Sequence, residues 1–171
     1  ALADGTAATQ LPYIAPEQFY QWTVTIGGAG ATIVVSVLFI FSCKSKFLKE
    51  VGRFSIIPGI FNINEPIIFG APMMLNPYMF IPFNLVPLVL TIISYFAVKL
   101  EMVNRFTVLP TWTLPAPIGG YLSAGNDWRV VILIMINTLI AFIIYYPFVK
   151  AYDKKMLSDE QSRGENEVQT V

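Results

Sequence analysis

Charged residues are absent from three long stretches of the sequence, and this limits the possible fold more than any other feature. Residues 18–43, 106–126 and 130–149 contain no Asp, Glu, Lys or Arg. From residue 54 to residue 98, Glu65 is the single charged side chain in 45 positions. About 20 apolar residues in a helix span the hydrocarbon core of a bilayer. The pattern therefore predicts an all-α integral membrane protein.

The composition agrees with this class and excludes several kinds of function. Charged residues make up 13% of the chain, whereas soluble domains usually carry about 25%. The formal net charge is zero, so no basic surface indicates nucleic-acid binding. The chain has no His and a single Cys, Cys43, which excludes an internal disulfide and any Cys-based metal site. We predict neither a metal nor a cofactor.

Polarity divides the chain into three parts. Residues 1–16 read as a lead-in loop of small residues and prolines, and residues 17–150 as a membrane-embedded domain. Residues 151–171 are charged and poor in apolar anchors, which predicts a disordered tail. Lysines and Arg53 are concentrated in the segment 44–53, which we interpret as a cytoplasmic loop by the positive-inside rule. Lysines just after the last apolar run put the C-terminus on the same side.

Helices and broken segments are predicted to alternate within the membrane-embedded domain. Spanning helices are predicted over 17–43, 79–99 and 128–150. The small residues GGAGA at 27–31 are interpreted as a surface for close helix packing rather than a hinge. Residues 53–78 and 106–126 are interrupted by prolines, so each is predicted to be a broken or re-entrant segment.

The first broken segment is predicted to consist of two half-helices that meet near Asn64-Glu65-Pro66. A charged side chain in the bilayer centre costs about 2.5–3.5 kcal/mol on insertion scales, so Glu65 needs a partner, a wet cavity or a ligand. Asn62, Asn64 and Asn76 are its predicted polar neighbours, and carboxamides both donate and accept hydrogen bonds. This set suits a ligand with several hydroxyls, such as a sugar.

Glu65 and Trp112 each have a second interpretation at this point. Glu65 could be an internal latch, or it could carry a proton, since desolvation raises the pKa of a carboxyl. Trp112 lies in the second broken segment, where its indole can stack on the apolar face of a sugar ring or can simply mark a membrane interface.

Three stretches of the sequence resemble a known family. FNINEPIIFGAPMMLNPYMFIPF at 61–83, GRFSIIPGI just before it and PTWTLPAPIGGYLSAG after it are similar, in this order, to the membrane subunit (enzyme IIC) of the lactose/cellobiose/chitobiose class of the bacterial phosphotransferase system. The similarity covers nearly the whole chain but only the C-terminal portion of such subunits. We therefore expect a piece of a longer protein.

The resemblance implies a homodimeric, multi-pass transporter in the bacterial cytoplasmic membrane. It implies binding of a β-linked disaccharide of the cellobiose, chitobiose or lactose type, which moves inward and is phosphorylated on its 6-hydroxyl. The donor would be the phosphocysteine of a separate IIB partner, which receives its phosphoryl group through IIA and HPr. Whether this translocating component counts as an enzyme stays open, because the phosphoryl-donor cysteine lies on the partner.

The resemblance also implies roles for individual residues. Glu65 would accept hydrogen bonds from sugar hydroxyls and help to orient or deprotonate the 6-hydroxyl. Asn64 would be a hydrogen-bonding partner at the hairpin tip and Trp112 the stacking platform, with Asn62 a weaker candidate. The family also uses a His, which this chain lacks, so part of the site is expected outside it. Cys43 is interpreted as a small apolar residue at a helix end.

Two functions of other classes remain as alternatives. One is an ion-coupled sugar symporter with Glu65 as the proton carrier. The other is a non-catalytic assembly or regulatory subunit in which Glu65 is a latch.

Overall fold

The computed structural model of the protein describes residues 16–169, with side chains described as far as residue 162. The predicted lead-in loop therefore lies outside the described residues except for Pro16. Regular structure in the described range is helical: α1 Glu17–Thr23, α2 Ile33–Ser42, α3 Lys46–Ile60, α4 Glu65–Gly70, α5 Pro77–Lys99, α6 Ala116–Ser123 and α7 Trp128–Gln169. The predicted all-α class is confirmed.

The two longest helices, α5 and α7, form the frame on which the shorter elements pack. Within the described residues they are the two helices long and apolar enough to cross a membrane. They pack against each other, and α2 and α6 pack on α7. The helices predicted over 79–99 and 128–150 are both present.

The helix predicted over 17–43 is wrong, because it is broken between α1 and α2. Residues 24–32, here called the glycine strap, are irregular, and Gly27, Gly28 and Gly30 have φ angles of 71°, 95° and 81°. These left-handed angles are open to glycine but costly for other residues. The GGAGA run therefore breaks the helix. Gly28 and Gly30 also allow the close packing that was expected of this run, since a Cβ at either position would lie within 3 Å of Asn64 or Phe83.

The broken hairpin predicted around Asn64-Glu65-Pro66 is present. Helix α3 ends at Ile60 and α4 begins at Glu65, with residues 61–64 forming the hairpin tip between them. Pro66 lies in the first turn of α4, where its missing N–H costs nothing.

The basic segment 44–53, predicted to be a loop, is mostly the first half of α3. Its N-cap is Ser45, whose hydroxyl oxygen accepts a hydrogen bond from the Leu48 amide at 3.3 Å. Serine is a preferred N-cap because its side chain replaces a missing helical partner. We call residues 43–45, between α2 and α3, the corner.

The second predicted broken segment also exists. Residues 104–115, here called the proline loop, contain no helix, and α6 follows them. The two glycines of α6 allow close packing on Trp22, since a Cβ at Gly119 would lie 2.2 Å from the indole ring. Trp22 is fully buried as a result.

The disordered tail predicted from residue 151 needs correction, because α7 continues to Gln169. Tyr152 and Asp153 are buried, and the Asp153 carboxylate accepts hydrogen bonds from the backbone amides of Lys44 and Ser45 at 2.9 Å. The Ser45 hydroxyl donates to Glu160 at 2.6 Å. These contacts with the corner hold the charged part of the helix in place.

Candidate functional site

Three non-helical segments meet at one place, which we call the junction: the hairpin tip, the glycine strap and the proline loop. Asn62, in the hairpin tip, connects all three. Its Oδ1 accepts a hydrogen bond from the Gly27 amide at 3.0 Å, and its Nδ2 donates to the carbonyls of Trp112 and Leu114, both at 2.9 Å. Both N–H groups and the oxygen of this carboxamide are therefore engaged by the backbone.

Asn64 fixes a second contact between the hairpin tip and the strap. Its Nδ2 donates to the Ala29 carbonyl at 3.0 Å, and the residue is buried. A Cβ added at Gly28 would lie 2.4 Å from Asn64 Cγ, a separation that real atoms do not tolerate. Glycine at this position therefore lets the two segments touch.

Side chains from other elements complete the hydrogen bonding of the strap. The Tyr145 hydroxyl, on α7, donates to the Gly30 carbonyl at 2.6 Å. The Thr32 hydroxyl donates to the Gly27 carbonyl at 2.9 Å. Irregular backbone in a membrane protein is tolerated where its polar groups are satisfied internally, and the strap meets that condition at these carbonyls.

Glu65 lies beside the junction, and its carboxylate forms no hydrogen bond or ion pair with the described side chains. It is the first residue of α4, directly after Asn64, and its side chain is exposed on this chain. Among the side chains that the structure describes, none forms a hydrogen bond or ion pair with it. An internal latch therefore has no partner in this part of the protein, and the carboxylate is free to meet a ligand.

Trp112 is also exposed, with 56% of its surface accessible, although its backbone carbonyl is held by Asn62. The structure thus brings three predicted site residues, Asn62, Asn64 and Glu65, together with the backbone of the fourth. Sequence reasoning missed the strap and Tyr145. The signal for the strap is the spacing of its glycines, which the sequence alone equally predicts to be a packing surface.

Asn76, predicted to be a polar neighbour of Glu65, belongs elsewhere. Its Oδ1 accepts a hydrogen bond from the Tyr78 amide at 3.0 Å and so caps α5. It also contacts the hydroxyl of Tyr152, the neighbour of the corner-binding Asp153. Asn76 therefore stabilises a helix start near the corner and takes no part in the junction.

A cavity of about 400 Å³ borders the junction on its apolar side. Its lining is almost entirely apolar and includes Ile26, Ile60, Pro115 and Met135, whereas Glu65 and Trp112 lie outside it. Hydroxyl groups would lose their hydrogen bonds there. A polar ligand is therefore expected on the Glu65 face, which the described residues leave open.

Comparison with known proteins then decides the family. The family model described as "Phosphotransferase system, EIIC" matches residues 2–87. The chain belongs to this family. Family membership and the all-helical structure agree that it is part of an integral membrane protein.

Relatives and a solved structure extend the similarity over most of the chain. It is 48% identical to the lactose-specific EIICB component of Streptococcus mutans over 138 residues, which are 80% of this chain and 24% of that protein. It is 37% identical to the lichenan permease IIC component of Bacillus subtilis over 155 residues, 90% of this chain and 34% of that one. This EIIC chain thus spans about a quarter to a third of the curated relatives it matches.

The crystal structure of ChbC, the IIC component from the N,N'-diacetylchitobiose-specific phosphotransferase system, matches the EIIC chain with a TM-score of 0.88 and 42% identity. The match covers 94% of this chain and 37% of that transporter. The broken helices described above therefore belong to a known transporter fold.

Proposed function

We propose that this chain is the sugar-binding portion of an EIIC subunit that moves a β-linked disaccharide into the cell. The relatives are named for lactose, lichenan and N,N'-diacetylchitobiose, which are all β-linked saccharides. The observation that carries the proposal is the unengaged carboxylate of Glu65. It stands beside a junction that also holds Trp112, within a segment that has no other charge.

In this proposal the two exposed side chains share the recognition of the sugar. The Glu65 carboxylate accepts hydrogen bonds from hydroxyls of the ring that is to be phosphorylated, and bonds to a charged acceptor are stronger than neutral ones. The indole of Trp112 stacks on the apolar face of the other ring. Asn64 keeps Glu65 at the tip through its bond to Ala29 and offers its carboxamide oxygen to a hydroxyl.

The phosphoryl step follows from the same arrangement. The sugar 6-hydroxyl oxygen attacks the phosphorus of the IIB phosphocysteine, the P–O bond forms, and the S–P bond breaks to leave the cysteine thiolate. Glu65 orients the hydroxyl and takes its proton as general base, a contribution of about 10²–10⁴ in rate. The cysteine lies on the partner, which IIA and HPr recharge.

The orientation we propose rests on the contact between α7 and the corner. Asp153 brings the beginning of α3, with exposed Lys44 and Lys46, to the same end of the molecule as Lys154 and Lys155. A group of lysines at one end favours the cytoplasmic side. The C-terminus is therefore assigned to the cytoplasm. From the resemblance to the family alone, we propose that the complete subunit is a homodimer in the cytoplasmic membrane.

The alternatives receive less support. The matched relatives are phosphotransferase components, which gives a proton-coupled symporter no backing. A purely structural Glu65 finds no partner among the described side chains.

Replacing Glu65 tests the proposal. In the complete subunit, Glu65→Gln should lower sugar phosphorylation by IIB at least about a hundredfold, since an amide accepts no proton. The matched control is Glu50→Gln, an exposed carboxylate on α3, which should leave the rate unchanged. Phosphorylation in membrane vesicles, with phosphoenolpyruvate and the soluble partners, gives the measurement.

Two outcomes would overturn the proposal. One is unimpaired phosphorylation with Glu65→Gln. The other is sugar accumulation that needs no phosphoenolpyruvate and collapses when an uncoupler is added, which would indicate a symporter.

A further inference from the structure

We infer that Asn62 is a positioning residue that sets how the subunit distinguishes two-ring from one-ring sugars. It does so by fixing the place of Trp112 relative to Glu65. This inference rests on the proposed function, because it assigns the two rings of the sugar to those two side chains. It gives Asn62 a different role from the direct contact with sugar that the resemblance implies.

The polar groups of the Asn62 side chain are already hydrogen-bonded within the protein, so neither of its N–H groups is available to a ligand. The Gly27 amide donates to its oxygen, and its nitrogen donates to the carbonyls of Trp112 and Leu114. A carboxamide has two donor hydrogens, and both are spent within the protein. A sugar hydroxyl would have to displace one of these backbone bonds in order to reach it.

Asn62 connects the two proposed binding groups, because it lies near Glu65 in the sequence and bonds to the backbone of Trp112. Glu65 is three positions further along the chain, so the two Cα atoms are at most about 11 Å apart. On the other side it holds the carbonyl of Trp112 directly at 2.9 Å. Trp112 lies in a loop without helical hydrogen bonds, where the two bonds that Asn62 donates, here called the clamp, and a turn bond from the Leu114 amide to the Thr111 carbonyl hold its backbone.

Few other residues could take this position. The φ of Asn62 is +62°, in the left-handed region, which asparagine and glycine tolerate best. Aspartate has a similar shape and can still accept from the Gly27 amide, but it cannot donate to two carbonyls and would repel them. Glycine keeps the backbone and loses every side-chain bond. Replacing Asn62 by Gly or Asp therefore keeps the left-handed backbone but removes the hydrogen bonds to the Trp112 and Leu114 carbonyls.

The clamp predicts a selective effect on binding. Without it the proline loop relaxes and the indole no longer stands over the second ring, whereas Glu65 still receives the first ring. Affinity for a disaccharide should then fall toward that of a single-ring sugar. A lost aromatic stacking contact corresponds to a decrease on the order of tenfold.

The test measures binding of cellobiose and of methyl β-glucoside to the complete purified subunit by calorimetry. Asn62→Gly and Asn62→Asp should each lower the affinity ratio of the two-ring to the one-ring sugar on the order of tenfold, with the one-ring affinity changed less than about twofold. The matched control is Asn137→Ala. Asn137 likewise donates to two groups, the Thr23 carbonyl and the Ser94 hydroxyl, but in the helical core. It should lower the melting temperature and leave the ratio unchanged.

Each result supports or overturns the inference. A purely structural Asn62 would lower the melting temperature, or both affinities together, with the same ratio as the wild type, and the inference would then be wrong. Glu65→Gln is measured in parallel. If it retains full affinity for both sugars, the proposed function itself fails. If it loses both while Asn62→Gly keeps the ratio, the inference alone fails.

Discussion

The corner and the junction are two non-helical regions that are stabilised by side chains from distant parts of the chain. The chemical groups of those side chains differ between the two regions. At the corner, the carboxylates of Asp153 and Glu160 bind the amides and the hydroxyl of residues 44–47. At the junction, the neutral carboxamides of Asn62 and Asn64 bind the strap and the proline loop.

The difference follows from the charges around each place. The corner lies at the lysine-rich end of α3 and α7, where a carboxylate is compensated by nearby cations. In the segment 54–98, which contains the hairpin tip, the one charged side chain is Glu65, and a second carboxylate there would repel it. Carboxamides satisfy both donors and acceptors of the backbone without adding charge. The two carboxamides therefore hold the strap and the proline loop without placing a second carboxylate next to Glu65.

The largest expected effect tests how tightly the junction is packed. Gly28→Ala should lower the free energy of unfolding by about 3–4 kcal/mol, the sum of left-handed strain and overpacking against Asn64. The matched control is Gly125→Ala, where φ is +69° but nothing lies within 4 Å of the new Cβ. It should cost about 1–2 kcal/mol from strain alone. Unfolding of the complete subunit in detergent gives both values.

Equal losses for the two alanine variants would contradict this account. They would mean that the strap can move away from Asn64 at no cost, and that the junction is no better packed than an open turn.

A smaller effect is expected from the corner. Asp153→Ala leaves the amides of Lys44 and Ser45 without their acceptor and should cost about 2–3 kcal/mol. The buried Cys43 thiol next to them should then react faster with a maleimide, in a subunit whose other cysteines have been replaced.

Asp153→Asn separates charge from hydrogen bonding at the corner. It removes the negative charge but keeps an oxygen that can accept from both amides, so it should cost about 1 kcal/mol and leave Cys43 protected. If this variant exposes Cys43 as much as Asp153→Ala does, charge compensation rather than the acceptor holds the corner.

The smallest effect concerns Glu160, beyond the apolar part of α7. The hydrogen bond from the Ser45 hydroxyl lowers the pKa of the Glu160 carboxyl, although its exposure to water limits the energy involved. The stability from this contact is present at neutral pH and is lost as the pH falls through the lowered pKa. Glu160→Gln should therefore flatten the acid limb of a plot of melting temperature against pH. An unchanged acid limb would remove Glu160 from the set of groups that hold the corner.

The same contrast explains which parts of the fold could be predicted from the sequence. The break before Glu65 depends on local proline chemistry, which can be read from a few neighbouring residues. The strap could not be predicted in this way, because its conformation depends on Asn62 and Asn64, each 35 residues from the group it binds. The ordered start of the tail depends on a corner 108 residues away.

The residues of the candidate site also differ in how far they could be predicted from the sequence. Glu65 and Trp112 could be selected from the sequence because a charge and an indole are rare in such segments. The role that we propose for Asn62 could not, since a carboxamide is equally suited to a sugar hydroxyl and to a peptide bond. Only the positions of the Gly27 amide and the Trp112 carbonyl distinguish the two.

The length of α7 has a mechanical consequence. A helix of 42 residues extends roughly 63 Å, whereas the hydrocarbon layer is only about 30 Å thick. Even when strongly tilted, such a rod must project well beyond the lipid. In its C-terminal half, the Asp153 carboxylate accepts hydrogen bonds from the α2–α3 turn. Near its middle, the Tyr145 hydroxyl donates a hydrogen bond to the strap. The projecting part of α7 and the broken helices are therefore connected through one continuous helix.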